Sequence, residues 1–225
     1  MSTVQVISDL QAPFQHPKAL DHIKRVRDRH RPDKFVVIGD SADMQFLKYL
    51  GINSPHTARQ QHEMALEFHH KLYKEIPEAM VCKCNHVYDR VMQVASSASI
   101  PDFLLKTPRE FLEMPIGWQV AEKWEIDNVV YEHGHHGIGG KYAYLNAINK
   151  HHKSIVFGHH AILAVRYIEV QGQKKFGCCV GALCTDSNDI RMGYGLDYAK
   201  RYSGEMPRGS AVIHGGTHCY LEPLI

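Results

Sequence analysis

Phe35-Val36-Val37-Ile38-Gly39-Asp40-Ser41-Ala42-Asp43 is the stretch that decides the fold. Four apolar residues, three of them β-branched, run together without alternation, as a strand buried on both faces does. The run halts at Gly39-Asp40, where glycine lets the backbone leave the sheet sharply. The same design recurs on either side. Upstream, the apolar run from Val4 ends in Ser8-Asp9-Leu10-Gln11, and downstream the run from Ala79 ends in Cys84-Asn85-His86. Two later runs end in His133-Gly134 and in Gly158-His159-His160.

Helices are predicted between these runs. One covers 17–29, with Leu20, Ile23 and Val26 on one face; another covers about 56–75, with Met64, Leu66, Phe68 and Leu72. A strand is predicted over 79–84. This alternation predicts a largely parallel sheet covered on its faces. The segment 95–116, rich in Pro, Leu and Phe, reads as short helices capping the site. In the second half, strands are predicted over 119–125, 128–133, 154–157, 211–214 and 219–221. A helix is predicted over 140–150, and a β-hairpin over 162–170 and 173–180 about Gly172. Two packed sheets with helices outside follow. With no repeat, linker or low-complexity tract, one domain over 1–225 is expected.

Composition excludes more than it assigns. Of 225 residues, 44% are apolar and 22% charged, ordinary for a globular domain, and the net charge of +2 is too mild to argue for nucleic acid by bulk electrostatics. No apolar stretch approaches bilayer length. The N-terminus runs straight into a strand, leaving no room for a signal peptide, so a cytoplasmic protein is expected. The cysteines at 82, 84, 178, 179, 184 and 219 lack zinc-knuckle spacing and are expected to be reduced thiols. Histidine is the outlier, with 17 residues.

A lone Gly-Asp after a strand is usually a turn, and a lone Asn-His usually a cap. Five such segments in order, each at a strand end, are another matter. Groups at the carboxyl ends of strands converge on one sheet edge, where ligands bind. Carboxylate, amide oxygen and imidazole together suit Mn, Fe or Zn.

In this order the segments resemble the series Asp-x-His, Gly-Asp, Gly-Asn-His, His-Gly and Gly-His-x-His of the calcineurin-like metallophosphoesterases, over residues 4 to about 161. The opening 8–20 is most similar to short single-domain members of bacteriophage type. The resemblance implies an α/β fold, a four-layer α/β/β/α sandwich of two mixed sheets flanked by helices, its C-terminal strands completing the second sheet. It implies metal-dependent hydrolysis of a phosphate mono- or diester, with nucleotides and nucleic acid among the open substrates. One or two divalent ions are implied, Mn first and Fe, Zn or Ni as alternatives, with the host cytoplasm as the location for a phage-encoded chain. Asp9 and Gln11 would bind the first metal, Asp40 would bridge, and Asn85, His133 and His159 would complete the second. His86 would serve the scissile phosphate, stabilising its oxygens or protonating the leaving group.

The chain departs from the family at Gln11 (family His), Cys84 (family Gly) and Ala161 (family His). Gln11 and Ala161 both fall on the first metal, whereas the second keeps its whole set. Three outcomes stay open: one tightly held metal; a substitute ligand from His160 or from His135 and His136; or a catalytically silent fold that binds a partner or nucleotide. Asp43 reads equally as a residue orienting a ligand and as a helix N-cap. Asp89-Arg90 reads as a cation near the phosphate or a salt bridge at a helix start.

Overall fold

Alternation along the first strands sends their side chains into two different cores. On β1 (Thr3–Ile7), Val4 and Val6 face one core while Ile7 faces another, and on β2 (Lys34–Val37) Val36 and Val37 divide the same way. These coordinates are a computed structural model describing residues 1–47, 56–139, 142–160, 162–170, 172–185 and 207–225.

The first sheet joins β10 (Gly209–His214), β11 (His218–Pro223), β3 (Ala79–Cys82) and β4 (Trp118–Ala121) to β1 and β2 in the order β11-β10-β1-β2-β3-β4, with β3 and β4 continuing β1 and β2 in parallel. The second has the order β5-β6-β7-β9-β8, built from β5 (Lys123–Ile126), β6 (Val129–Glu132), β7 (Ser154–Phe157), β8 (Leu163–Val170) and β9 (Gln173–Val180). Helices α1 (Ala19–His30) and α2 (Ala58–Glu75) cover the first sheet through Ile23, Ala65, Phe68 and Leu72, packed with Val37, Val81 and Trp118. Helix α5 (Ala143–His151) covers the second through Ala147 and Ile148, against Val130, Ile155 and Phe157. Between the sheets lie Val4, Val6, Val36, Cys82, Val129, Tyr131, Val156, Phe176 and Cys178. Four layers, α/β/β/α, result.

Two expectations are corrected. The single strand over 119–125 is two: β4 pairs with β3 in the first sheet, and after a bend at Glu122 β5 pairs with β6 in the second. Trp118, Val120, Trp124 and Ile126 keep one alternation across this corner, interrupted at Glu122 alone, and one residue suffices for the switch. The C-terminal strands β10 (Gly209–His214) and β11 (His218–Pro223) complete the first sheet, not the second; β10 lies antiparallel to β1 and buries Ala211 and Ile213 between the sheets. Strand pattern specifies which side is buried but not which neighbour is paired.

The segment 95–116 forms the end of α3 (Arg90–Ser97), a 3₁₀ turn at Asp102–Leu104 and α4 (Pro108–Phe111). With Lys83, Tyr88 and Asp89 it walls a cavity of about 510 Å³. The helix expected over 140–150 is α5; residues 140 and 141 lie outside the described residues, as does Ala161. Part of the histidine excess is core: His22 and His69 are buried and burial lowers both to about 4. All six cysteines are free.

Candidate metal centre

Every segment singled out by its ligand residues leaves the carboxyl end of a strand. Asp9 follows β1, Asp40 follows β2, Asn85 follows β3, His133 follows β6 and His159 follows β7. Asp9, Gln11, Asp40 and His159 take positive φ values of 49°, 53°, 45° and 64°. Such left-handed backbone in non-glycine residues persists only where the surroundings over-determine it. Two glycines permit the close approach. A Cβ at Gly39, whose φ is +69°, would lie 2.6 Å from Cys84 Cβ and 2.7 Å from His133 Nδ1. A Cβ at Gly158 would strike Ser8 Oγ and lie 2.9 Å from Asp9 Oδ2. Asn85–Asp89 forms a single π-helical turn ahead of α3, and this turn carries both Asn85 and His86.

The centre is a convergence of acceptors on one imidazole. His133 donates from Nδ1 to the Ile38 carbonyl at 2.9 Å, so its Nε2 is the free ligand position when the ring is neutral. That Nε2 lies 2.9 Å from Asn85 Oδ1 and 3.2 Å from Asp40 Oδ2. His159 closes the group: ligand atoms of Asp40, His133 and His159 all lie within 4.8 Å of one another. Burial opposes charge on His133, yet Asp40 and Asp9 beside it raise it to about 9. Burial alone would raise the Asp40 carboxyl, but His133 and His86 hold it well below the usual carboxylate range. His159 is lowered to about 4, by burial first and then by His133.

Asp9 and Gln11 stand on the other flank of Asp40. Asp9 Oδ2 accepts from Ser8 Oγ and from the His159 backbone N–H at 3.1 Å. Burial and then the Asp40 charge raise the Asp9 carboxyl to about 6. The Gln11 amide nitrogen faces both carboxylates, 3.5 Å from Asp9 Oδ1 and 3.3 Å from Asp40 Oδ2. Its oxygen accepts from His86 Nδ1 at 2.9 Å.

His86 is held by two acceptors at the same nitrogen. Nδ1 lies 2.8 Å from Asp43 Oδ1 as well as 2.9 Å from Gln11 Oε1, leaving Nε2 pointed toward Asp40 Oδ2 at 3.7 Å. Asp43 is in turn anchored by Arg90, whose guanidinium donates to the Asp43 and Met44 carbonyls. Arg90 is therefore spent on the backbone that carries Asp43. Ser8 has no sequence signature, since it acts through a neighbour rather than a ligand spacing, whereas Asp43, which the sequence reads equally as a cap or a support, here lies against the His86 ring.

The auxiliary histidines divide. His160 donates from Nε2 to the Ile138 carbonyl at 2.7 Å. His135 Nε2 lies 3.1 Å from Asp89 Oδ2, and the His135 ring sits 3.7 Å from that of His136 and 5.1 Å from that of His133. Cys84 is fully buried, and burial and then the Asp40 charge raise its thiol.

The chain matches no protein-family profile and no curated protein sequence. It is similar to solved structures. Vacuolar protein sorting 29 from Cryptosporidium parvum shares 10% identity over 99% of this chain and 97% of that one, with a TM-score of 0.48. Vps29 from Chaetomium thermophilum shares 10% over 100% and 97%, also at 0.48. Yfce, a phosphoesterase from E. coli, shares 12% over 94% and 88%, at 0.42.

The residues fit a divalent cation on their own chemistry. Asp40 Oδ2, Asn85 Oδ1 and, when neutral, His133 Nε2 are acceptors brought together, an arrangement that a proton or a metal satisfies. The carboxylate, amide oxygen and two imidazoles make a four-residue set of hard and borderline donors. No helix among the described residues is long and apolar enough to cross a membrane.

Proposed function

We propose that this chain is a metal-dependent phosphoester hydrolase of the calcineurin-like kind, resembling its short bacteriophage-type members and built on one domain over 1–225. The observation that carries this is the convergence of Asp40 and Asn85 within 3.2 Å of His133 Nε2, with His159 beside them. These four residues would hold the principal cation, Mn first, with Fe, Zn or Ni as alternatives. Asp9 and Gln11 would attend a weaker first-metal position. A cation held there supplies Lewis acidity, lowering the pKa of water and neutralising charge on the phosphoryl oxygens.

The chain's own residues then divide the remaining work. Asp43, by accepting from Nδ1, fixes the tautomer and ring orientation of His86. His86 Nε2 thus faces the same side as Asp40, and the imidazolium, its Nδ1–H held by Asp43, would donate from Nε2 to a phosphoryl oxygen or protonate the leaving group. Ser8 and the His159 N–H hold Asp9 as an acceptor on the other side. A phosphate mono- or diester is the substrate class, with nucleotides and nucleic acid within it. The segment 95–116 would supply specificity; the cavity it walls is bordered by Asp89, which pairs with His135 beside the centre. A cytoplasmic location, the host's for a phage-encoded chain, accompanies this function.

One observation favours a second reading, a catalytically weak or silent protein that binds a partner or nucleotide. The Gln11 amide donates to both Asp9 and Asp40, the role a first cation would otherwise take. His86→Ala separates the two. Hydrolysis of bis- and mono-(p-nitrophenyl) phosphate with Mn that disappears in this variant, with metal content retained, supports the hydrolase. No turnover in the wild type supports the silent protein.

A further inference from the structure

We propose a second cation site formed by Asp89, His135 and His136, beside the principal centre but sharing no residue with it or with Asp9 and Gln11. One ligand atom from each of the three lies within 4.8 Å of the other two. His135 Nε2 stands 3.1 Å from Asp89 Oδ2, and the two imidazole rings lie 3.7 Å apart between centroids. An ordinary His–Asp ion pair accounts for one of these contacts. It does not account for a second imidazole brought within chelating distance of both.

Two further observations point to a ligand. His135 Nδ1 is buried and has no hydrogen-bond partner among the described residues, so this ring is not a satisfied core histidine. The loop is also fixed in place. Lys150 Nζ donates to the His136 carbonyl at 3.0 Å, His160 Nε2 to the Ile138 carbonyl at 2.7 Å, and Asn146 Nδ2 to the Gly139 carbonyl at 3.2 Å. Three side chains thus hold the backbone that presents the histidines, the kind of support a metal site requires. Asp89 arrives from the end of the π-helical turn that carries Asn85, so the two sites share their scaffold.

Two imidazoles and one carboxylate suit a borderline cation such as Zn²⁺ or Co²⁺, and three protein ligands leave a coordination position open to solvent or to an anionic ligand. Exposed His136 makes this the weaker of the two sites. The site stands on its own residues and does not require phosphoester hydrolysis.

Equilibrium dialysis against Zn²⁺ with metal analysis tests it, and the visible spectrum of Co²⁺ reports the ligands directly. The wild type should bind at least two ions per chain, the principal one and this one. Asp89→Asn and His136→Gln should each weaken the second ion at least about tenfold while keeping the first, and Asn85→Ala should do the reverse. His136 is exposed, so its variant tests binding without disturbing the core. One ion in the wild type up to about 1 mM free Zn²⁺ would overturn the proposal. So would an ion count and affinity unchanged from the wild type in both Asp89→Asn and His136→Gln, or loss of the principal ion together with this one in both.

Discussion

Without metal, the proton on His133 takes the cation's place between Asp40 and Asn85, and this has a measurable signature. With its pKa raised to about 9, His133 is about nine-tenths protonated near pH 8, whereas an imidazole at its ordinary value would be about 3% protonated. Near that pH Asp9, raised to about 6, is already ionised, and His159, lowered to about 4, is already neutral. A cation taken up by Asn85, His133 and His159 must therefore expel close to one proton, and that proton must come from His133. The apparent affinity should rise about tenfold, or about 1.4 kcal/mol, for each pH unit up to about 9 and level off above it. Isothermal titration of Mn²⁺ in two buffers of different ionisation enthalpy counts the proton. Release of only a few hundredths of a proton near pH 8 would refute the argument. The metal-free protein should follow the same linkage. A folded pKa raised above the unfolded one stabilises fully below about pH 6.5 and ceases to do so as pH rises through about 9, a difference of roughly 3 kcal/mol.

Other substitutions read other parts of the centre. Gly39→Ala places a Cβ 2.6 Å from Cys84 Cβ at a positive φ, so left-handed strain and overpacking together should destabilise by about 2–5 kcal/mol in urea unfolding; a neutral effect would contradict the described turn. Asp43→Asn should leave metal content intact but lower kcat about a hundredfold by loosening the tautomer and orientation of His86, an effect steady-state kinetics would reveal. Gln11→His removes the amide donated to Asp9 and Asp40 and offers an imidazole in its place, so Mn²⁺ binding and turnover should both rise. Unchanged values would mean that the amide bridge does not limit the first position.

The parts of this molecule that the sequence makes legible are those governed by local pattern. Buried strands such as 35–38 read as continuous apolar runs, and residues following such a run must emerge at the sheet edge, which is why Asp9, Asp40, Asn85, His133 and His159 could be placed together. The helix faces at Ile23, Phe68 and Leu72 follow from period alone. What was not legible depends on pairing across long separations. Nothing in 211–214 names β1 as its neighbour, and nothing at Glu122 announces a change of sheet. The same holds within the site. Whether Gln11 turns its nitrogen or its oxygen toward the carboxylates depends on His86, which is 75 residues away. Asp43 reads equally as a cap or as a support until the ring it supports is beside it. Asp89 and His135 meet only because the π-helical turn and the loop after β6 end at the same edge.

The central claim is that Asp40, Asn85, His133 and His159 hold the ion on which phosphoester cleavage depends. The most direct test measures Mn per chain and bis-(p-nitrophenyl) phosphate hydrolysis on the same preparations of the wild type, Asn85→Ala and His133→Ala. Metal and turnover should fall together in both variants, and added Mn²⁺ should restore part of each in Asn85→Ala, which keeps both imidazoles and Asp40. Turnover that persists in a variant with no bound metal, or metal fully retained in both variants, would contradict the account.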